Sequence, residues 1–494
     1  MSSRGLVTAS IMAATVMHAL DMTIANVALP HMQGTLLATQ DQISWVLTSY
    51  VVASAIMTPP TGILAARMGR KRFFQWSIAG FTAASLLCGF ASSLTEMVIF
   101  RLLQGACGAA LIPVSQAILL DTYPRERHAQ AMAMWGVGIM VGPILGPTVG
   151  GYLTELYDWR WIFFINLPIG IIAMLGVAAT VPETPCDPNR TFDFTGFALL
   201  TLAVGSFQLM LDRGELEGWF DSTEIVIEAV IAGLCCYGFI VHSWTAERPF
   251  LDLNLLRDRN YGIGVLLIFL INLMMLATLA LLPAFLQGLL GYPIVETGYL
   301  MMPRGIGTMI AMLVVGRISG TVDARLIVTV GLLLTSLSMW EMSLFNMNVD
   351  EHAIIVTGAL QGFGMGLIFS PLSAMTFSTL APHLRTDGAA VFSLLRNLGS
   401  SIGVSVMIAM LSQGRQLHRS QLVEHVTPFS PALKDAPDGF ALDTLSGLMR
   451  LSEEISRQAD MLAYLGDFHV LMLVPLIPLP LVLILRPQSY GKRA

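Results

Sequence analysis

The sequence predicts an all-α membrane protein that crosses the bilayer many times. Three observations carry that prediction. Of 494 residues, 54% are hydrophobic and only 12% are charged, about half the charged share of a soluble domain. The apolar residues gather into fourteen segments, each near the ~20 residues that a membrane helix needs. The basic residues concentrate in alternate connections between them. The same composition excludes disorder, a collagen-like chain and a disulfide scaffold. A net charge of -6 without a long basic run excludes nucleic acid as a partner.

The segments run 8–29, 44–65, 73–92, 97–119, 131–153, 161–181, 195–211, 225–244, 262–286, 297–317, 326–345, 353–373, 391–411 and 468–485. The first has Arg4 in front of it, contains Asp21 and ends at Pro30 without an A-x-A site. It reads as a retained span, not a signal peptide. The seventh and eighth contain FALLTLAVGSFQLML and IVIEAVIAGLCCYGFIVHSW, too apolar for a soluble hairpin, which argues against a twelve-span count. Cys88, Cys107, Cys186, Cys235 and Cys236 show no zinc-ligand spacing and read as packing residues.

Orientation follows from the basic residues. With the N-terminus in the cytoplasm, the inner connections hold Arg67, Arg70, Lys71, Arg72, Arg125, Arg127, Arg190, Arg248, Arg257, Arg259, Arg317, Arg325 and Arg385. Arg486, Lys492 and Arg493 follow the last span, and the short outer loops hold only Arg160 and Arg213. An even span count leaves both termini cytoplasmic. The one long connection, 412–467, then lies outside. Within it Leu448, Leu451, Ile455, Leu462 and Leu465 share a side at helical spacing. That stripe suits either a helix resting on the protein or membrane surface, or a docking site for a partner.

An internal repeat sets the organisation. LLQGACGAALIPVS (102–115) in span 4 is echoed by ALQGFGMGLIFSPLS (359–373) in span 12, so Gln104-Gly105 matches Gln361-Gly362. Gly62 at the end of span 2 matches Gly316 at the end of span 10. Both echoes are eight helices apart. The reading is a six-helix half (1–194), two inserted helices (195–250) and a second six-helix half (251–494) that includes the outer loop 412–467. Transporters built from repeats bind substrate near the bilayer midplane, between the repeats.

Ionisable residues inside a span are costly, so they are functional candidates. Asp21, in LDMTIANVALP (20–30), lies about eight residues from the outer end of span 1, roughly 12 Å deep. Removal from water favours its neutral form, so it can load and release a proton. A permanent structural ion pair is the alternative. His18 lies one turn back on the same face and Asn26 nearer the outer end. With Gln104 and Gln361 they are the candidates for a central cavity. Arg101 in span 4 stays protonated at a depth close to that of Asp21, either buried beside it or snorkelling to the headgroups. Glu228, Glu341, Arg304 and Arg396 sit near span ends, where headgroup contact accounts for them. Span 5 reads WGVGIMVGPILGPTVGG (135–151). Gly138, Gly142, Gly146 and Gly150 form a stripe that permits close helix approach, and Pro143 and Pro147 are expected to bend the helix.

The chain resembles the major facilitator superfamily, and within it the fourteen-span drug:proton antiporters of the EmrB/QacA type. The resemblance covers nearly the whole chain. It rests on LDMTIANVALP (20–30), RLLQGACGAA (101–110), GVGIMVGPILGPTVGG (136–151) and WRWIFFINLPIG (159–170). The long outer loop, FQLMLDRGELEGWF (207–220) and FLDLNLLRDRNYGIG (250–264) are similar to the EmrB branch. The resemblance implies export of hydrophobic or amphipathic toxic compounds by alternating access, driven by the proton gradient with no cofactor. It implies a bacterial inner membrane and substrate passed to a periplasmic adaptor and an outer-membrane channel. Asp21 would be the proton-coupling acid, Arg101 its electrostatic partner, and the glycines and prolines of span 5 the antiporter helix. Gly62, Arg67, Gly69 and Arg70 in GILAARMGRKRF (62–73) would form the cytoplasmic gate, with Ala66 where the superfamily has Asp. Asp121, at the inner end of span 4, is then the acid available to Arg67 or Arg70. The residues alone leave open a proton-coupled symporter or facilitator of a specific metabolite, and a receptor that transports nothing. No nucleophile–base pairing, metal cluster or phosphate loop suggests an enzyme.

Overall fold

The computed structural model describes residues 3–124, 127–187, 192–247, 249–251, 253–318, 321–381, 384–426 and 444–485. Among these, 13 helices are long and apolar enough to cross a membrane, and a bent pair of helices makes up to 14. The protein is thus a multi-pass membrane protein. Arg125, Arg190, Arg248, Arg486, Lys492 and Arg493 lie outside the described residues.

Span 1 is Ser3–Thr35. Span 2 is Trp45–Met57 and Thr61–Met68, bent by 59° where Pro59 and Pro60 offer no N–H to the helix. Span 3, Arg70–Phe90, is entered through Gly69 at φ 85°, a left-handed backbone that glycine adopts freely. Span 4 is Leu94–Gly108 and Leu111–Thr122. Span 5, His128–Leu156, is helical through Pro143 and Pro147, whose side chains lie outside the description. Span 6 is Trp161–Phe164 and Asn166–Thr180. Pro168 sits in the first turn of the second piece, where a missing N–H costs nothing.

Span 7, Phe194–Arg213, is capped by Asp193, which accepts from the Gly196 N–H at 2.9 Å. It leans on both halves: Ile56 of span 2 approaches the Gly205 position, and Ser405 of span 13 donates to the Leu211 carbonyl at 2.6 Å. Span 8, Thr223–Thr245, packs on span 7 and turns Leu234, Tyr237 and Trp244 outward.

Spans 9 to 12 are Arg259–Ala284, Ile294–Ile318, Ala324–Met342 and Glu351–Ser378. Span 13 is Arg385–His425, a 41-residue helix. At 1.5 Å per residue it is roughly 60 Å long, twice the ~30 Å of a hydrocarbon core. Span 14, Leu445–Leu473, continues through a short helix at Leu479–Ile484. The expected outer connection 412–467 contains the expected amphipathic helix, and it is helical at its start as well. Residues 412–425 and 445–467 are helical extensions of spans 13 and 14, and 427–443 lie outside the described residues. The extensions pack on each other through Arg415–Asp460 at 3.1 Å, Arg419–Ser452 at 3.3 Å and Ala463 against Gly414. Ala459, Ala463 and Tyr464 are buried, whereas Leu448 and Leu462 of the expected stripe are exposed. The segment therefore rests on the protein, along the extension of span 13.

The two sets of six helices repeat their contacts. A Cβ at Gly142 of span 5 would overlap the Ala19 carbonyl of span 1, and one at Gly146 the Thr23 hydroxyl. Likewise Gly399 of span 13 abuts the Phe269 carbonyl of span 9, and Gly403 the Leu273 carbonyl. Gly105 abuts the Tyr50 carbonyl, and Gly362 that of Arg304. Small residues at these crossings let backbones touch, which is how membrane helices associate where burial from water supplies no drive.

One end of the bundle is closed. It carries the start of span 1, where Thr8 bonds Tyr123 at 3.0 Å, and the end of span 14, where the Ile484 carbonyl accepts from Arg259 at 2.7 Å. Across that end Trp135 of span 5 stacks on Phe369 of span 12, and Ser370 donates to the Ala129 carbonyl at 3.0 Å. Leu119, Leu120, Met132 and Trp135 share one apolar cluster with Phe377 and Phe392.

Candidate functional site

The site is built where spans 1, 2, 3, 4 and 6 converge. The close approach of Gly105 to Tyr50 brings spans 2 and 4 together. The Arg101 guanidinium then lies 4.2 Å from the Tyr50 ring centroid and 5.7 Å from that of Phe163. Its Nε donates to the Val46 carbonyl at 3.1 Å. Its Nη1 donates to Asp21 Oδ2 and to Gln104 Oε1, both at 2.8 Å. Asp21 Oδ1 accepts from Gln104 Nε2 at 2.8 Å and Asn166 Nδ2 at 2.9 Å. Asp21 and Gln104 are 0% exposed and Arg101 is 1% exposed. Every group bonded to Asp21 is a donor, the arrangement a charged carboxylate requires.

A second layer holds these groups. Asn166 Nδ2 also donates to Ser85 Oγ at 3.0 Å, and Ser85 donates to the Phe163 carbonyl at 2.9 Å. Cys88 Sγ donates to Gln104 Oε1 at 3.6 Å. Asn166 opens the second helix of span 6, so the break at Ile165 aims it into the cluster.

Of the residues singled out in the sequence, Asp21, Arg101 and Gln104 come together. Arg101 is buried, which removes the snorkelling alternative. His18 joins at one remove: its Nδ1 lies 3.0 Å from Tyr50 Oη, and its ring packs near Phe81. Asn26 does not join; it is exposed and makes no side-chain hydrogen bond among the described residues. Gln361 is 0% exposed in the other half, with Nε2 on Met339 Sδ at 3.8 Å. Neither Asn26 nor Gln361 is hydrogen-bonded to Asp21 among the described residues. Gly138 and Gly150 hold span 5 to Met12 and Ile24 of span 1. Asn166 and Ser85 are the participants the sequence reading missed. WRWIFFINLPIG contains Asn166 and was the available signal.

A second cluster closes the end that carries the start of span 1 and the end of span 14. Asp121 bonds Arg70 of span 3 and accepts from Arg385 Nη1 of span 13 at 2.6 Å. Arg385 Nη1 also donates to the Leu120 carbonyl at 3.4 Å. The acid takes Arg70, not Arg67, which is exposed without an ion pair among the described residues. The Arg385 partner was unforeseen. Gly62 lies so close to Asp387 of span 13 that a Cβ would overlap the carboxylate. Gly69 turns the chain against Thr184, whose hydroxyl accepts from the Arg70 N–H at 2.8 Å. The Ala66 carbonyl accepts from the Asp187 N–H at 2.9 Å. Position 66 thus serves through its backbone, and Asp121 supplies the carboxylate that ties the two halves.

The expectation that Arg304 snorkels is overturned. It is 6% exposed in the middle of span 10, donating from Nη2 to the Met275 carbonyl at 3.2 Å.

Comparison with known proteins agrees with this architecture. The model of the Major Facilitator Superfamily matches residues 11–404. The multidrug export protein EmrB of Escherichia coli (strain K12) is 37% identical over 459 residues, covering 92% of this chain and 90% of that protein. The fatty acid resistance protein FarB of Neisseria gonorrhoeae is 37% identical over 430 residues, 87% of this chain and 85% of that one. A crystal structure of the human organic anion transporter MFSD10 superposes with a TM-score of 0.65 at 15% identity, over 97% of this chain and 99% of that one, and shows a shared fold. With the repeated six-helix contacts and a family match over most of its length, the chain belongs to the major facilitator superfamily, in its EmrB branch.

Proposed function

We propose that this protein is a multidrug exporter that expels hydrophobic and amphipathic compounds in exchange for protons. The names of its relatives, a multidrug export protein and a fatty acid resistance protein, support efflux. The observation that carries the proton is the geometry of Asp21. Three donors converge on a carboxylate withdrawn from water. Protonating it would remove the charge that Arg101 pairs with and weaken the charge-assisted bonds that Arg101, Gln104 and Asn166 make to it. Those groups belong to spans 4 and 6. A proton on Asp21 therefore loosens the hold of spans 4 and 6 on span 1, which is the coupling that antiport needs.

In this reading the end closed by Asp121, Arg70 and Arg385 is cytoplasmic, consistent with its arginines. The protein then sits in a bacterial inner membrane, in a state closed toward the cytoplasm. Rocking of one half against the other alternates access, with the Asp121–Arg385 pair breaking in the inward-facing state. The projecting helices of spans 13 and 14 offer a periplasmic adaptor a surface, from which substrate passes to an outer-membrane channel. No cofactor is involved; the proton gradient supplies the drive.

The test is export from inverted vesicles or proteoliposomes with an imposed pH gradient. A dye substrate is expected to move only with the gradient, and its addition to move protons the other way. Dye movement indifferent to a protonophore would defeat the reading.

A further inference from the structure

The halves repeat their contacts but not their charges. Tyr50 and Arg304 correspond, because each lends its carbonyl to the glycine of a Gln-Gly pair. Arg101, three residues before Gln104, corresponds to Gly358, three before Gln361. Asp21 corresponds to Ile271, since Ala19 and Thr23 meet the span-5 glycines as Phe269 and Leu273 meet those of span 13. The second half therefore holds an arginine, entering from span 10, and has isoleucine where the first half has the acid. The Arg304 side chain uses room that Gly358 leaves, its Cβ being 3.9 Å from where a Cβ of that glycine would stand.

Arg304 is unlike Arg101 in its partners. Arg101 meets a carboxylate, an amide and a carbonyl. Arg304 meets the Met275 carbonyl alone, and its Nη1 is buried with no hydrogen-bond partner among the described residues. A buried cation lacking an acid and one acceptor is costly, and within a membrane span it marks a functional group. Its surroundings point to what completes it. Met275 shares an apolar cluster with Met140, Met309, Met312, Ile144 and Phe369, which joins span 5 of the first half to spans 9, 10 and 12 of the second. Methionines adapt to differently shaped apolar bodies.

We propose that Arg304 is a substrate-recognition residue and that the compounds it selects are amphipathic organic anions. A substrate carboxylate takes Nη1, standing where the second half lacks an acid, and the apolar body lies on the methionine cluster between the halves. This rests on the reading of the chain as an exporter of amphipathic compounds.

The experiment is calorimetric titration of the full-length protein in lipid nanodiscs, corrected for empty discs. The probes are 2-naphthoate and its neutral analogue 2-naphthalenemethanol. The wild type is expected to bind the carboxylate at least about tenfold more tightly, roughly 1.4 kcal/mol. R304Q should bind both equally, with alcohol affinity unchanged, and R304K should retain most of the preference. Equal affinities in the wild type overturn the proposal without any variant, as does a preference that survives in R304Q. Efflux of a neutral amphipathic dye from cells separates this from the parent reading. Protonophore-sensitive dye efflux beside equal naphthoate and alcohol affinities sinks Arg304 recognition alone. Loss of all such efflux sinks the exporter.

Discussion

Arg101 reaches Asp21 with the same nitrogen that it gives to Gln104: Nη1 lies 2.8 Å from Asp21 Oδ2 and 2.8 Å from Gln104 Oε1. One guanidinium atom thus serves both the acid and the amide that holds the acid's other oxygen. Removing the charge at Asp21 changes three groups at once.

Asp21→Asn is expected to abolish substrate-driven proton movement in proteoliposomes while the protein still inserts. It also leaves Arg101 as an unpaired buried charge, costing about 3–5 kcal/mol of stability. The double variant Asp21→Asn with Arg101→Gln removes that charge. It should recover most of the thermal stability and none of the proton movement. Proton movement regained along with stability would mean that Asp21 is a structural residue only.

The Asp121–Arg385 pair predicts a shift in population. Asp121 is 34% exposed at its side chain and Arg385 8%, so the charge-assisted bonds are discounted for solvent to about 1–2 kcal/mol in all. Asp121→Asn should open the closed end roughly 5–30-fold more often. Spin labels at the exposed Met68 and Leu326 would show a larger fraction of long distances. An unchanged distribution would mean that the apolar cluster around Trp135 and Phe377 holds that end by itself.

The glycine stripe makes a prediction about packing. A Cβ on Gly142 overlaps the Ala19 backbone, whereas one on Gly233 of span 8 meets nothing within 4 Å. Gly142→Ala must push spans 1 and 5 apart, and overpacking of this kind typically costs about 1–3 kcal/mol. Gly233→Ala relieves a helix of an unfavourable residue and should be neutral or stabilising by up to about 1 kcal/mol. Thermal unfolding of the purified variants in one detergent compares them. Equal midpoints would show that the stripe has room to spare.

Much of the frame was legible because membrane burial writes itself into composition: long apolar runs, arginines at one end, glycines every fourth residue. Asp21 and Arg101 stood out because charge at depth is rare. Asn166 and Ser85 did not, since neutral polar groups in a span carry no such penalty, and only the fold brings spans 1, 3 and 6 together. Arg304 was misjudged by its distance from the edge of an apolar run. That distance says nothing about Gly358 and Gly362, which let span 12 close over it. The segment 412–425 was read as loop because polarity reports water, not coil. Its run of Gln, Leu, Arg and His lacks Pro and has Gly only at Gly414, a composition that permits a helix in water as in lipid.

Asp193 gives a prediction in pH. It caps span 7 through the Gly196 N–H at 2.9 Å, lies 2.8 Å from His242 Nε2 of span 8 and accepts from the Phe250 N–H at 3.1 Å. One carboxylate thus ties the inserted helices to the chain that enters the second half. Burial alone would raise its pKa, but these bonds and the His242 charge together hold it below the ordinary value. The folded state therefore binds this proton less readily than the unfolded chain, whose Asp titrates near ~3.9. The stability that the charge contributes is complete above that value and is lost as pH falls through the lower, folded one. Asp193→Ala should cost about 1–2 kcal/mol near pH 7 through the cap. Asp193→Asn keeps a capping oxygen and has no charge to lose. The gap in unfolding midpoint between wild type and Asp193→Asn should thus narrow below about pH 4. A gap that stays constant down to pH 3 would show that His242 and the two N–H groups make no use of the charge.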